Sequence, residues 1–505
     1  MDKRKSILNI STSIFFKILT VGMSIIVKRL LILHCGNEVN GLNALYLSII
    51  GFLSVAELGI GSAITFCMYK PIVEENFQQV SALYQLFRKI YTIVAIIILA
   101  VGLIITPFIH ILAKDYADIN ANLYSTFVLM LISVVITYFY GAKTSLLNAH
   151  KNNYITTVIT SGGIIIQYIF QIITLIVSQS FEGYLICRIV AALVQWIITN
   201  LVTSQKYSAL IIDKPRLDQN IRHQLARSIK AMFMHKVGYL LVNTIDSLII
   251  SAFVGVVALG YYSNYIAILS STAGIISLVF SSLVSVIGHL YVQSTKERMK
   301  WYCETFYMLN FVLGAVFYLG YYAIADDLVA ILFGDHLIVE KYISFMITLN
   351  GFVQFMRNNV LLFRDATGTF YNDRWKPLVE GIMNVVLSVL FVKWVGVTGV
   401  IIATIITNLT ICHIVEPYVL FKNAFHESPK FYYFKNYSMI VLFAIALGLL
   451  NKMTAIDANH WKALIKNGCV SVALSAVVSI LVVLTDKNCR KILLGILKKQ
   501  KGDRI

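Results

Sequence analysis

Long apolar runs alternate with short polar segments from one end of the chain to the other. An apolar stretch of 18 or more residues is long enough to cross a bilayer as a helix. About fourteen such spans follow one another, near residues 7–33, 42–69, 90–113, 123–142, 154–177, 184–205, 231–254, 259–292, 303–325, 342–363, 377–395, 398–421, 432–450 and 467–485. The pattern predicts an all-α polytopic membrane protein. The first run follows a basic start, MDKRKSILNIS, like a signal peptide. It continues past Val27 with no small-residue cleavage site, so it reads as a retained first span.

Composition agrees, and charge adds an orientation. Of 505 residues, 58% are hydrophobic and 13% charged, whereas a soluble chain carries roughly a quarter charged residues. The segments between spans alternate in cation content. With the N-terminus cytoplasmic, the inside segments hold 30 of the 42 lysines and arginines and the outside segments six. Positive charge concentrates on the cytoplasmic side of membrane proteins, which places both termini there. The net charge of +17 is then explained by topology and lipid headgroups rather than by nucleic acid. Seven scattered cysteines form no CxxC pair and point to neither a disulfide framework nor a zinc site.

A weak internal repeat divides the spans. Residues 15–46 laid over 234–265 place Phe16-Lys17 on His235-Lys236, Gly36 on Gly255, Gly41 on Gly260 and Tyr46 on Tyr265. A second match lays Glu182-Gly183-Tyr184 on Thr398-Gly399-Val400. The expectation is two pseudo-symmetric six-helix lobes, 1–215 and 216–425, followed by an additional helix pair and a basic tail over 426–505.

Six cations fall inside spans: Lys17, Lys28, Arg29, Arg188, Lys236 and Arg357. The acids set against them are Glu57 and Asp246, candidates for ion coupling. Charged groups in a bilayer are costly and usually face a bundle interior or a wet cavity. At about 100° per residue, Asn9, Ser13, Lys17, Thr20, Ser24 and Lys28 share one stripe of the first span. Lys236, Tyr239, Asn243 and Ser247 repeat it in the seventh, with Asp246 beside them. A cation surplus of this kind calls for an anionic ligand bearing phosphate or carboxylate. The competing reading has Lys28, Arg29 and Arg188 snorkelling to headgroups from the ends of their spans. His413 and Glu416, three apart before Pro417, read as a hydrogen-bonded structural pair rather than a metal site. No P-loop is present, so ATP hydrolysis by this chain is not expected.

Two stretches resemble a known family. GLNALYLSIIGFLSVAELGIGSAITFCMYKPIVEEN, residues 41–76, is similar to the second-span region of the polysaccharide flippases. These belong to the multidrug/oligosaccharidyl-lipid/polysaccharide superfamily. FRDATGTFYNDRWKPLVEGIMNVVLSVLFVKWVGVTGVIIATIITN, residues 363–408, resembles their tenth-to-twelfth-span region, and IIVKRLLILHCG their first span. The resemblance implies paired six-helix lobes around a central cationic cavity and a substrate of undecaprenyl-pyrophosphate-linked oligosaccharide. In the related lipid II flippases, arginines of the first, second and eighth spans serve the pyrophosphate. The first-span cations correspond here to Lys17, Lys28 and Arg29, while the second span offers only Glu57 and the eighth no cation.

The expectation is a bacterial plasma-membrane flippase, not an enzyme, with no catalytic residues, metal or cofactor. Lys17, Lys28, Arg29 and Lys236 form its anion site, joined by Arg188 and Arg357. Coupling to a proton or sodium gradient is left open. Its partners would be the lipid-linked oligosaccharide, membrane lipids and polysaccharide polymerase or assembly proteins. One rival is a multidrug or cation antiporter of the same fold, which needs an acidic site. Another is a polysaccharide polymerase or ligase, which needs a sizeable outside loop.

Overall fold

Almost every residue described in the computed structural model lies in a helix, and no strand occurs among them; they are 3–54, 60–116, 121–150, 152–212, 244–454, 459–486 and 490. Nine helices among the described residues are long and apolar enough to cross a membrane, and two shorter apolar helices span Ile64–Val73 and Thr244–Val254. The chain is a multi-pass membrane protein. The longest apolar run, Lys376–Phe425, has 50 residues. At 1.5 Å per residue it would reach about 75 Å, over twice the hydrocarbon thickness. It turns at Val395 and Gly396, the latter at φ 59°, where the sequence predicts the gap between 377–395 and 398–421.

The chain forms two compact units, Met1–Gly260 and Tyr261–Ile505. The expected boundary at 215 falls in 213–243, outside the described residues. The first unit holds α1 (Lys3–Cys35), α2 (Asn37–Leu53), α3 (Ile60–Val73), α4 (Phe77–Ile105), α5 (Leu123–Ala149), α6 (Asn153–Val177) and α7 (Phe181–Ile212). Here α1 lies along α6, and α5 packs between α4 and α7. Small residues let these helices approach closely: Gly141 of α5 leaves room for the Tyr91 ring. Helix α8 (Val256–Gln293) starts in this unit and crosses α2. Gly41 sits against the Val256 carbonyl, and Gly260 against the Asn37 carbonyl. The Asn37 and Asn40 side-chain amides donate to the Val257 and Gly260 carbonyls, at 3.2 and 3.3 Å.

The second unit is organised around α9 (Lys296–Phe333). It continues with α10 (Lys341–Met356), α11 (Asn358–Thr367), α12 (Lys376–Thr407), α13 (His413–Leu420), α14 (Lys430–Met453) and α15 (His460–Thr485). Helix α9 touches α10, α14 and α15, so the last helix pair is part of this unit rather than an appendage. Phe352 of α10 stacks on Phe443 of α14 with centroids 3.5 Å apart. Asn436 donates to His413 at 2.9 Å, Tyr322 donates to Asn451 at 2.6 Å, and Asp327, itself buried, accepts from Asn467 at 3.2 Å.

Local signatures recur 219 residues apart in the two halves. Gly36 and Gly255 both have positive φ, at 91° and 137°, and each immediately precedes a helix. Asn76 caps α4 by accepting from Gln79 N–H, and Thr295 caps α9 by accepting from Arg298 N–H. Tyr46 and Tyr265 are both fully buried, each with its hydroxyl hydrogen-bonded.

Candidate functional site

Helix α1 carries polar side chains where an apolar helix has none to spare. Phe15, Ile26 and Leu33 are exposed on one side. Lys17, Thr20, Ser24 and Lys28 lie roughly opposite, flanked by the buried Val27 and Leu31. The Thr20 and Ser24 hydroxyls donate back to the Phe16 and Val21 carbonyls at 2.8 and 2.7 Å, satisfying themselves within the helix. Lys17 is exposed and Lys28 half-buried. Arg29 is also exposed, but on the side of Ile26 and Leu33. The sequence places it in the anion site but outside the stripe, and this side of the helix is the one that the snorkelling alternative expects for it.

Arg188 lies on α7, half-buried, beside the Tyr184 and Tyr168 hydroxyls. It heads a polar line on the buried side of α7 that continues through Gln195, Thr199 and Thr203. Gln195 accepts from Tyr140 at 2.8 Å and fills the space beside Gly163 of α6. Across from Arg188, α6 places Gln167 and Gln171: Gln167 donates to Gln171 at 3.3 Å, and Gln171 donates to the Tyr184 carbonyl at 3.0 Å. Among the described residues no carboxylate lies within ion-pair distance of Lys17 or Arg188. Gln167, Tyr168 and Gln171 played no part in the charge-based reading of the sequence. Their signal was the only polar break in the run IIIQYIFQII, residues 164–173.

The second unit corrects the place of Arg357. Its guanidinium donates to both oxygens of Glu416, at 3.1 and 2.6 Å, and to Asn408 at 2.7 Å, and pairs with Glu380 at 3.4 Å. Lys376 Nζ closes the group, 2.6 Å from Glu380 and 2.6 Å from Glu416. Two cations and two anions neutralise one another, so Arg357 is not a spare charge. Counting only Glu57 and Asp246 as acids left out Glu380 and Glu416, which lie in α12 and α13. The expected His413–Glu416 pair is also corrected. His413 bonds the Val353 carbonyl at 3.0 Å through Nε2 and Asn436 through Nδ1, while Glu416 serves Arg357 and Lys376. Asp246 is buried, 8% exposed, in the short apolar helix Thr244–Val254. Glu57 and Lys236 lie outside the described residues.

No protein-family model and no curated sequence matches the chain. Solved structures do. An inward-facing multidrug-resistance MATE-family transporter of the MOP superfamily aligns with TM-score 0.59 and 14% identity, over 89% of this chain and 99% of its own. The lipid II flippase MurJ in an inward closed conformation aligns with TM-score 0.59 and 12% identity, over 94% and 98%. A Vibrio cholerae MATE transporter, VcmN, aligns with TM-score 0.53 and 14% identity, over 86% and 100%. At such identities the likeness speaks for architecture, and it extends over nearly the full length on both sides. The chain therefore has the helical fold that MATE multidrug transporters share with the lipid II flippase MurJ.

Proposed function

We propose that the chain is a flippase that carries a polyprenyl-pyrophosphate-linked oligosaccharide repeat unit across the bacterial plasma membrane, with both termini in the cytoplasm. The observation that supports this most directly is the α1 stripe. Lys17 and Lys28 face away from the exposed apolar side, and Lys17 has no carboxylate in ion-pair range among the described residues. A pyrophosphate crossing hydrocarbon meets a barrier of many kcal/mol, because the charge loses its hydration. Fixed cations along a polar helix face lower that barrier at every depth the headgroup visits. Lys28 and Lys17 are eleven residues apart, about 16 Å along the helix, which is half the hydrocarbon thickness. Arg188 and Lys236 complete the anion site in this reading, and Arg357 belongs to the neutral quartet instead. Alternating exposure of the site to the two sides would complete transfer, with lipids and assembly proteins as partners.

The test is a leaflet assay on the purified chain in liposomes, following how fast lipid-linked repeat units become accessible on the far side. Lys17→Ala and Lys236→Ala should each slow transfer by tenfold or more, about 1.4 kcal/mol on the barrier. Unchanged transfer in both variants removes the site. A second reading, a cation or multidrug antiporter, draws on the same fold and on the buried Asp246. It is favoured if Asp246→Asn abolishes efflux of cationic dyes while repeat units never move.

A further inference from the structure

The α6–α7 seam does more than hold two helices together. In the run 164–173 of α6, Gln167, Tyr168 and Gln171 are the only polar residues. Gln171 is fully buried, 0% exposed, and its amide is committed at both ends, to Gln167 and to the Tyr184 carbonyl. That fixes Gln167, which spends one N–H on Gln171 and leaves its carbonyl oxygen and second N–H without a partner among the described residues. The Tyr168 hydroxyl makes no hydrogen bond among them either, and its oxygen lies near Arg188. Side chains of this kind in a membrane-crossing helix cost several kcal/mol unless something polar meets them.

Depth relates this cluster to the cations of α1. Cys35 Sγ donates to the Gln179 carbonyl at 3.5 Å, tying the end of α1 to the turn that precedes α7. Lys28 lies seven residues before Cys35, and Arg188 seven residues after Phe181, the first residue of α7. Both are thus about 10 Å from that tie. Gln167 lies ten residues before Val177, the last residue of α6, about 15 Å, between the levels of Lys28 and Lys17. A planar amide offers one donor and one acceptor side by side, which suits two adjacent hydroxyls of a pyranose. A tyrosine adds a flat ring for the sugar's C–H face and a third polar group. Arginine beside them suits the anionic linkage.

We infer that Gln167 and Tyr168, beside Arg188, recognise adjacent hydroxyls of the sugar that is joined directly to the pyrophosphate. This rests on the flippase reading and assigns a glycan-reading task to a neutral part of the same unit. The charged stripe then grips any polyprenyl pyrophosphate, and the amide–tyrosine pair distinguishes loaded carrier from empty carrier.

Two probes separate these tasks in the full chain held in lipid nanodiscs: undecaprenyl pyrophosphate, and undecaprenyl-pyrophosphoryl glucose. The wild type should bind the sugar-bearing lipid about tenfold more tightly than the bare one, the scale of one or two satisfied buried hydrogen bonds. Gln167→Leu and Tyr168→Phe should each shrink that preference to about threefold or less, while leaving affinity for the bare lipid unchanged. Lys28→Gln should weaken both probes alike and keep the preference. Each variant is first matched to wild type in thermal melting, with Gln167→Asn, which shortens the reach of the amide, replacing any leucine variant that melts early. An undiminished preference in the Gln167 and Tyr168 variants overturns the assignment and leaves the flippase reading intact. A wild type that binds neither probe better than phosphatidylglycerol overturns both.

Discussion

Arg357, Glu416, Lys376 and Glu380 illustrate what a buried ion network requires of each member. Lys376 and both glutamates are almost wholly enclosed, with side-chain exposures of 4%, 5% and 1% for Lys376, Glu380 and Glu416. Removing one charge leaves the others short of a partner in a medium that solvates ions poorly, a loss of about 3–5 kcal/mol. Glu416→Gln should therefore lower the melting temperature of the detergent-solubilised chain markedly. The Glu416→Leu, Arg357→Met double variant, which keeps the remaining Lys376–Glu380 pair neutral, should recover part of the loss. Equal melting of the Glu416→Gln variant and wild type contradicts this account. The pair Lys376–Glu380 was readable from its spacing of four. Arg357 was not, because its carboxylates lie 23 and 59 positions away on other helices, and a tally by span cannot see across helices. Lys17 and Arg188 differ in that no carboxylate lies within ion-pair distance of either among the described residues.

At the scale of elements, the breaks between helices were more legible than the contacts between them. Gly36, Gly255 and Gly396 interrupt apolar stretches, and each adopts the positive φ that glycine accepts most easily. Alanine at Gly255, held at φ 137°, should cost about 1–3 kcal/mol of backbone strain. Thermal melting would measure it, with Gly162→Ala, which meets open space within 4 Å and lies inside a helix, as the strain-free control expected to melt at or slightly above wild type. A melting point for Gly255→Ala level with that control argues against strain there. The N-cap pair Asn76 and Thr295 escaped the sequence comparison because the residues differ in type while doing the same work. Caps are conserved as geometry, and several side chains serve. The α6–α7 seam escaped for another reason. Its glutamines carry no charge, and attention to ions passes over neutral amides.

For the whole molecule, span counting and charge placement carry most of what the chain says about itself. Hydropathy separates crossings well when loops intervene. It also separates them where a reversal is only a glycine wide, as at Gly396 within the 50-residue run Lys376–Phe425, where the predicted gap between 377–395 and 398–421 falls. The orientation argued from 30 inside and six outside cations has a direct check. In a cysteine-free background, a membrane-impermeant maleimide added to intact cells should label Lys114→Cys and spare Lys300→Cys, and the reverse pattern would invert the molecule. The crossing of α2 and α8 bears on how such a chain is assembled. Asn37 and Val256 are 219 positions apart, as are Gly41 and Gly260, and each glycine rests on the carbonyl contributed by the other half. That is an isologous contact, the same two positions used from both sides. A half-length polypeptide with one such glycine would meet its own copy in the same manner, so joining two copies end to end would retain an interface that a homodimer already possessed.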